Sequence, residues 1–300
     1  MSRLIAKIGI PALAVLALAG CGSSSSSTSS TAATTTTSAS NGANAAVVAL
    51  VPAGIKSKGT LIVATDATYA PNEFIAEDGH TVIGMDADLM KAIGEVMGMK
   101  VNMVNATFDT IIPGLAAGKY DAGASSFTDT VERQKTVDFV TYFSAGVSFY
   151  GKAAGGPEIK SIEELCGKTV AVEKGTTEEE EAKAQSGKCT KAGKKSVTVL
   201  VFPDQNGANL ALSSGRAELG MADSPVAAYA VKQSNGAFKL IGPTYGSAPY
   251  GIALPKGNGM AKPVQAALKI LIANGTYMKI LEKWGVQAGA ITNPEINAAK

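Results

Sequence analysis

Ser125, Ser126 and Thr128 stand just ahead of Arg133, and this grouping points to chemistry more directly than any other in the chain. Hydroxyls and loop amides donate hydrogen bonds to an anion, and a guanidinium offers a planar fork of donors that fits a carboxylate bidentately. The grouping therefore reads as a receptor for a small anion; sulfate, phosphate and a carboxylate are all chemically compatible. Catalytic groupings are scarce by comparison. His80 is the single histidine, and it lies in Glu77-Asp78-Gly79-His80, which reads as an exposed turn. One loop histidine supplies no Ser-His-Asp or Cys-His arrangement and no metal cluster, so neither a metal site nor a cofactor is expected.

The elements that must position these residues follow from hydropathy patterning. Tyr120, Ala122 and Ala124 alternate as in a strand, 121–124, that ends where the Ser125 loop begins. Upstream, 60–65 reads as a buried strand, 100–104 as another, and 108–117 as a short helix closed by Gly118. Asp86 is placed to cap a helix whose apolar face is Leu89, Met90, Ile93, Val96 and Met97. After Asp138-Phe139 the pattern restarts, with extended or strand segments at 147–151, 168–172, 197–202 and 219–221. A helical turn at 162–165, a helix after Gly175-Thr176-Thr177 and another at 208–214 separate them. A strand at 251–254 and helices at 263–273 and 276–284 close the chain. Such alternation with short connections predicts an α/β fold with a largely parallel sheet, built as two similar units.

Where the chain works is written in its first residues. Arg3 and Lys7 precede an apolar stretch, 8–19, which is too short for an ordinary membrane span and reads as a secretory signal. It ends in Leu18-Ala19-Gly20-Cys21, which resembles the bacterial lipobox, in which the cysteine is lipidated and becomes the mature N-terminus. From Gly22 to about Asn44 the chain is Ser, Thr, Ala, Asn and Gly without charge, a composition that cannot build a core. We expect a signal peptide at 1–20 and a lipid-anchored linker at 21–55, leaving a domain tethered outside the cytoplasmic membrane. The formal net charge of +2 is dispersed, with no basic stripe, so nucleic acid is not an expected partner. In an exported protein Cys166 and Cys189 are expected to pair as a disulfide, a reduced pair being the alternative.

Several segments, taken in order, resemble the solute-binding proteins of polar amino-acid ABC transporters, bacterial solute-binding family three. They are Ala64-Thr65-Asp66-Ala67-Thr68-Tyr69-Ala70-Pro71, Gly84-Met85-Asp86-Ala87-Asp88-Leu89 and Phe108-Asp109-Thr110-Ile111-Ile112-Pro113-Gly114-Leu115. The Ser125 to Arg133 motif with Asp138-Phe139, then Gly175-Thr176-Thr177 and Asn274-Gly275-Thr276-Tyr277, complete the set. The resemblance runs from Gly59 to about Trp284 and implies the two-lobe, periplasmic-binding-protein-like (type II) fold with a hinge of two crossing strands. It would place lobe 1 at 56–144 plus 248–290, lobe 2 at 145–247, and a tail at 291–300. The hinge crossings would fall near 142–146 and 246–250.

The resemblance also implies roles. Arg133 would clamp a ligand's α-carboxylate, with backbone or hydroxyl contacts from Ser126 and Thr128 and with Ser125 beside them. Asp223 matches the family's acceptor for the α-ammonium, although in Asp223-Ser224-Pro225 it would also serve as a helix cap. Thr177, at a helix start, would touch the carboxylate; the following acidic run, 178–181, is read as dipole-stabilising and solvent-facing. Tyr69 and Phe108 match positions that sandwich the ligand's side chain, and Asp66 lies at its far end. Glu173 would add a second acid there if it faces the pocket. Two acids without a neutralising base favour a cationic tail, so the expected ligand is arginine, lysine, ornithine or histidine, with glutamine or another polar amino acid as the alternative. Expected partners are that free amino acid, an ABC permease and, through the anchor, the membrane; a monomer is expected. The same fold supports enzymes resembling cyclohexadienyl dehydratases, which need a cleft acid of raised pKa. No enzymatic activity is expected, because Arg133 with Asp223 already makes a complete amino-acid receptor.

Overall fold

The computed structural model of the protein describes residues 42–300. The signal segment, Cys21 and most of the linker lie outside the described residues. Folded structure begins earlier than the linker boundary at 55 implies. Asn44 caps a helix, Ala45–Leu50, by accepting from the amides of Ala46 and Val47. Val47 and Val51 are buried in the core, and that apolar pair is the reason the chain is ordered from there.

Two sets of short strands are joined by two long ones. Thr60–Thr65 pairs in parallel with Lys100–Asn105 on one side and Ala122–Gly123 on the other. Leu219–Asp223 and Thr198–Phe202 likewise flank Thr169–Glu173 in parallel. Between the sets run Val137–Lys152 and Phe238–Pro255, antiparallel to each other from the Phe238/Lys152 pair to the Pro255/Val137 pair. One end of this ribbon meets the first set through Ala253 and Gly123, and the other meets the second through Leu219 and Gly151. Its register is irregular between Ile241 and Gly251, in the stretch where it passes from one set to the other. There a Cβ on Gly146 would lie 2.5 Å from the Gly246 carbonyl oxygen, so the close approach of the strands requires glycine.

Each half has its own core. Leu61, Val63, Leu89, Ile93, Leu268 and Leu281 pack in the first, and Phe149, Leu165, Val170, Val172, Leu219 and Met221 in the second. The fold is thus α/β with two lobes and a two-strand hinge. The crossing strands are longer than the pieces read at 147–151 and 251–254, because Gly146, Gly246 and Pro249 interrupt the alternation on which that reading rests.

Three local corrections concern polar residues. Gly84, not Asp86, is the cap of helix Met85–Val96, and Asp86 turns inward from its first turn. Residues 291–300, set apart as a tail, are tied to lobe 1: Thr141 donates to the Glu295 carbonyl at 2.8 Å, and Ala298 to Asp129 at 2.7 Å. Of the backbone or hydroxyl contacts expected from Ser126, with Ser125 beside it, the hydroxyls turn to Glu73 below the cleft. Cys166 and Cys189 form a disulfide that ties the turn after Ile162–Leu165 to helix Thr177–Lys191.

Candidate functional site

The C-terminal ends of the parallel strands in both lobes converge on one cleft, the position at which open α/β sheets present ligand-binding loops. Asp66 follows strand Thr60–Thr65, Phe108 starts helix Phe108–Ala116, and the Ser125 loop follows Ala122–Gly123. Arg133 lies on the short helix Val131–Gln134, whose cap, Thr130, accepts from the Arg133 amide. From lobe 2 come Glu173 and Asp223, each the last residue of its strand, and Thr177, the first residue of its helix. All ten residues singled out from the sequence line this cavity: Asp66, Tyr69, Phe108, Ser125, Ser126, Thr128, Arg133, Glu173, Thr177 and Asp223. Thr176 and Glu178 join them.

Arg133 is held in a definite pose. One terminal nitrogen donates to the Thr128 carbonyl and the other to the Gly175 carbonyl across the cleft, both at 2.9 Å. Its guanidinium lies 5.4 Å and 5.7 Å from the ring centres of Phe108 and Phe127, a cation–π arrangement. A guanidinium has five N–H donors, so three remain for a bound anion. Asp223 faces it from lobe 2. Its Oδ2 accepts from the Tyr69 hydroxyl at 3.0 Å, and that hydroxyl in turn accepts from the Asp223 amide at 3.1 Å. Lys174 pairs with Asp109 at 2.8 Å, and the Gln205 amide donates to Thr68 at 3.1 Å. The Arg133–Gly175, Tyr69–Asp223, Lys174–Asp109 and Gln205–Thr68 contacts cross between lobes, so the cleft is closed.

At the far end Asp66 accepts from the Thr68 hydroxyl at 2.7 Å and from the Phe108 amide at 3.0 Å. Glu173 lies near it, only 2% exposed, with Oε1 lacking any hydrogen-bond partner. Burial raises the Asp66 carboxyl above its ordinary value, and burial followed by the charge of Asp66 drives Glu173 well upward. Burial likewise pushes Asp223 up to about 6 and Glu178 well above the usual carboxylate range. Four carboxyls therefore share the cavity lining with one guanidinium. A partly dry cavity of that composition holds protons or attracts cations.

Beneath the cleft lies a second pair of acids that sequence reasoning missed. Glu73 accepts from the hydroxyls of Ser125 and Ser126, each at 3.2 Å, and Asp86 accepts from the Ser126 amide at 2.8 Å and from Tyr142 at 2.7 Å. Ser126 sits at φ +49, a left-handed conformation uncommon for a non-glycine residue, and these bonds hold it there. The Ser125 and Ser126 hydroxyls are thus engaged within lobe 1, while both residues stay in the cavity lining beside Thr128 and Arg133. Glu178 was also missed. Its signal was readable: Glu178, Ala182, Gln185 and Cys189 are the buried residues of their helix, at the spacing of a single inward stripe.

Comparison with known proteins matches residues 61–287 to the bacterial extracellular solute-binding proteins, family 3. The arginine-binding protein ArgT of Corynebacterium glutamicum is 34% identical over 252 residues, spanning 84% of this chain and 82% of that protein. A solved ancestral arginine-binding protein bound to glutamine is 41% identical with a TM-score of 0.70, covering 76% of this chain and 98% of that one. A solved ancestral amino acid-binding protein, a precursor of cyclohexadienyl dehydratase, is 37% identical with a TM-score of 0.69, covering 77% and 97%.

Proposed function

Since the chain belongs to the bacterial extracellular solute-binding proteins, family 3, we propose that it is the receptor of an ABC importer for a basic amino acid. The observation that carries this reading is the charge imbalance of the cleft: Asp66, Glu173, Glu178 and Asp223 against Arg133 alone. An α-amino acid brings one carboxylate for Arg133 and one ammonium for Asp223, and a cationic side chain brings the second positive charge that Asp66 and Glu173 call for. Thr177 and Thr128 add contacts to the carboxylate, and Tyr69 and Phe108 flank the stem. An anionic tail would meet two carboxylates and be repelled.

Binding on this reading is closure. Arg133 belongs to lobe 1 and Asp223 to lobe 2, so a ligand gains both interactions only with the lobes together, and that difference shifts the hinge equilibrium. Lobe 1, at 56–144 plus 248–290 with the 45–51 segment and the 291–300 tail packed on it, and lobe 2, at 145–247, turn about the crossing strands, and the permease receives the closed, loaded form. Among the described residues no helix is long and apolar enough to cross a membrane, and Cys21 carries the lipid anchor. Replacing Cys21 with Ser should move the protein from the membrane fraction to the medium or periplasm; unchanged membrane association would remove the anchor.

Glutamine is the second ligand to consider, because a 41%-identical relative was solved with it. The protein is a receptor and not an enzyme: a ligand incubated with it should be recovered unchanged. Titration of ligand-free protein with free amino acids tests the whole reading, since a protein that binds none of them is no amino-acid receptor.

A further inference from the structure

The helix Thr177–Lys191 opens with four glutamates, of which three have an evident place. Glu179 accepts from the Gly175 amide and pairs with Lys183, Glu180 is exposed, and Glu181 accepts from the Tyr245 hydroxyl at 2.8 Å. Glu178 has no comparable structural task. It is 2% exposed and lines the cleft, and its Oε2 accepts from the Thr177 hydroxyl at 3.1 Å while Oε1 has no hydrogen-bond partner. Among the described residues Glu178 forms no ion pair with Arg133, Lys135 or any other cation. A favourable helix-terminus charge does not account for it, because Glu179 already supplies one, paired with Lys183. A buried carboxylate oxygen left unpaired is costly to the fold, and a ligand donor removes that cost.

The neighbour of Glu178 says which donor. Glu178 lines the same cavity as Asp223, and both carboxyls are buried. Asp223 already has Oδ2 engaged by Tyr69, whereas an ammonium brings three N–H donors. We propose that Glu178 is a second acceptor for the ligand's α-ammonium, sharing it with Asp223, and that this carboxyl pair releases a proton as the ammonium enters. This rests on the amino-acid receptor reading. Two buried carboxyls lining one cavity do not both ionise readily, so one of them keeps its proton; the arriving cation replaces it, and the proton passes to solvent. Burial and the neighbouring Asp223 charge hold Glu178 well above the usual carboxylate range, which is consistent with a retained proton. The groups facing the pair are Arg133 from its short helix, Tyr69, Glu173, Glu181 of the same helix, and Tyr245 and Tyr250 of the second crossing strand. Arg133 is the one cation among them, and the ligand's carboxylate would occupy its remaining donors.

The test compares L-arginine with 5-guanidinopentanoate, which is arginine without its amino group. Glu178→Gln should weaken arginine about tenfold or more while leaving the des-amino compound little changed, so that the preference for arginine narrows. Equal weakening of both ligands would make Glu178 a structural residue and overturn the proposal. Calorimetry of wild-type protein near pH 7, in buffers of different ionisation heat, needs no folded variant. It should find up to one proton released per arginine and none for the des-amino compound, whereas no release with arginine overturns the proposal. Wild-type protein that binds no arginine at all would instead refute the receptor reading beneath it.

Discussion

Replacing Arg133 with Ala should abolish the recognition of carboxylates while leaving the side-chain end of the cleft in place. The guanidinium is pinned by Thr128 and Gly175, each at 2.9 Å, so it meets a ligand without being reorganised. Truncating one partner of a buried, hydrogen-bonded charge pair costs about 2–5 kcal/mol, which is a loss of about 30- to 5,000-fold in affinity. Part of the cost falls on the protein itself, since the bond to Gly175 crosses the cleft and contributes to closure. Arg133→Lys keeps the charge and loses the fork, so its loss should be intermediate. The assay is calorimetric titration with arginine and with agmatine, the same molecule without its carboxylate. Wild-type protein should strongly prefer arginine, and Arg133→Ala should bind the two almost equally. Thermal melts of the ligand-free variants check that they fold. A folded Arg133→Ala protein that binds arginine within threefold of wild type would refute the assignment, because the carboxylate would then sit elsewhere.

Glu173→Gln should weaken a cationic ligand by about tenfold and leave glutamine nearly unaffected; equal effects on both would separate Glu173 from the ligand's tail. Lowering the pH from 7.5 to 5.5 should raise the melting temperature of ligand-free protein by a few degrees, about 2–4 °C per kcal/mol. The sign follows from Glu73, Glu173 and Glu178, held well above the ordinary carboxylate range, and from Asp86 and Asp223 at about 6. In that window the folded state binds protons that the unfolded chain does not, so stability rises as pH falls. Ligand affinity should move the opposite way, declining below about 6 as Asp223 protonates, and a melting temperature that falls with ligand-free acidification would contradict both. Replacing Cys166 and Cys189 together with Ser opens a cross-link of sequence separation 23 and should cost about 3 kcal/mol in denaturant unfolding, with ligand affinity retained.

The cleft was legible in the sequence to the extent that its residues terminate strands or start helices. Asp66, Glu173 and Asp223 end apolar runs, and Thr177 and Phe108 begin helices, so motif order alone brought ten side chains to one cavity. What was not legible is which way a polar side chain turns. The hydroxyls of Ser125 and Ser126 read as free for a ligand because Glu73, which accepts from them, and Asp86, which holds the Ser126 amide, lie 40 or more residues away in sequence. Asp86 looked like a cap because a cap and an inward first-turn acid have the same local sequence. Glu178 was grouped with the three glutamates that follow it, and only the stripe it shares with Ala182, Gln185 and Cys189 sets it apart. The hinge strands were hidden by glycines and prolines, which weaken an alternation signal even where the backbone stays extended.

Charge is the centre of the account, and titration of ligand-free protein with arginine, glutamine and glutamate tests it most directly. Four cleft carboxyls against one guanidinium predict that arginine binds most tightly, glutamine more weakly and glutamate not measurably. Glutamate binding as well as arginine, or no binding by any of the three, would contradict it.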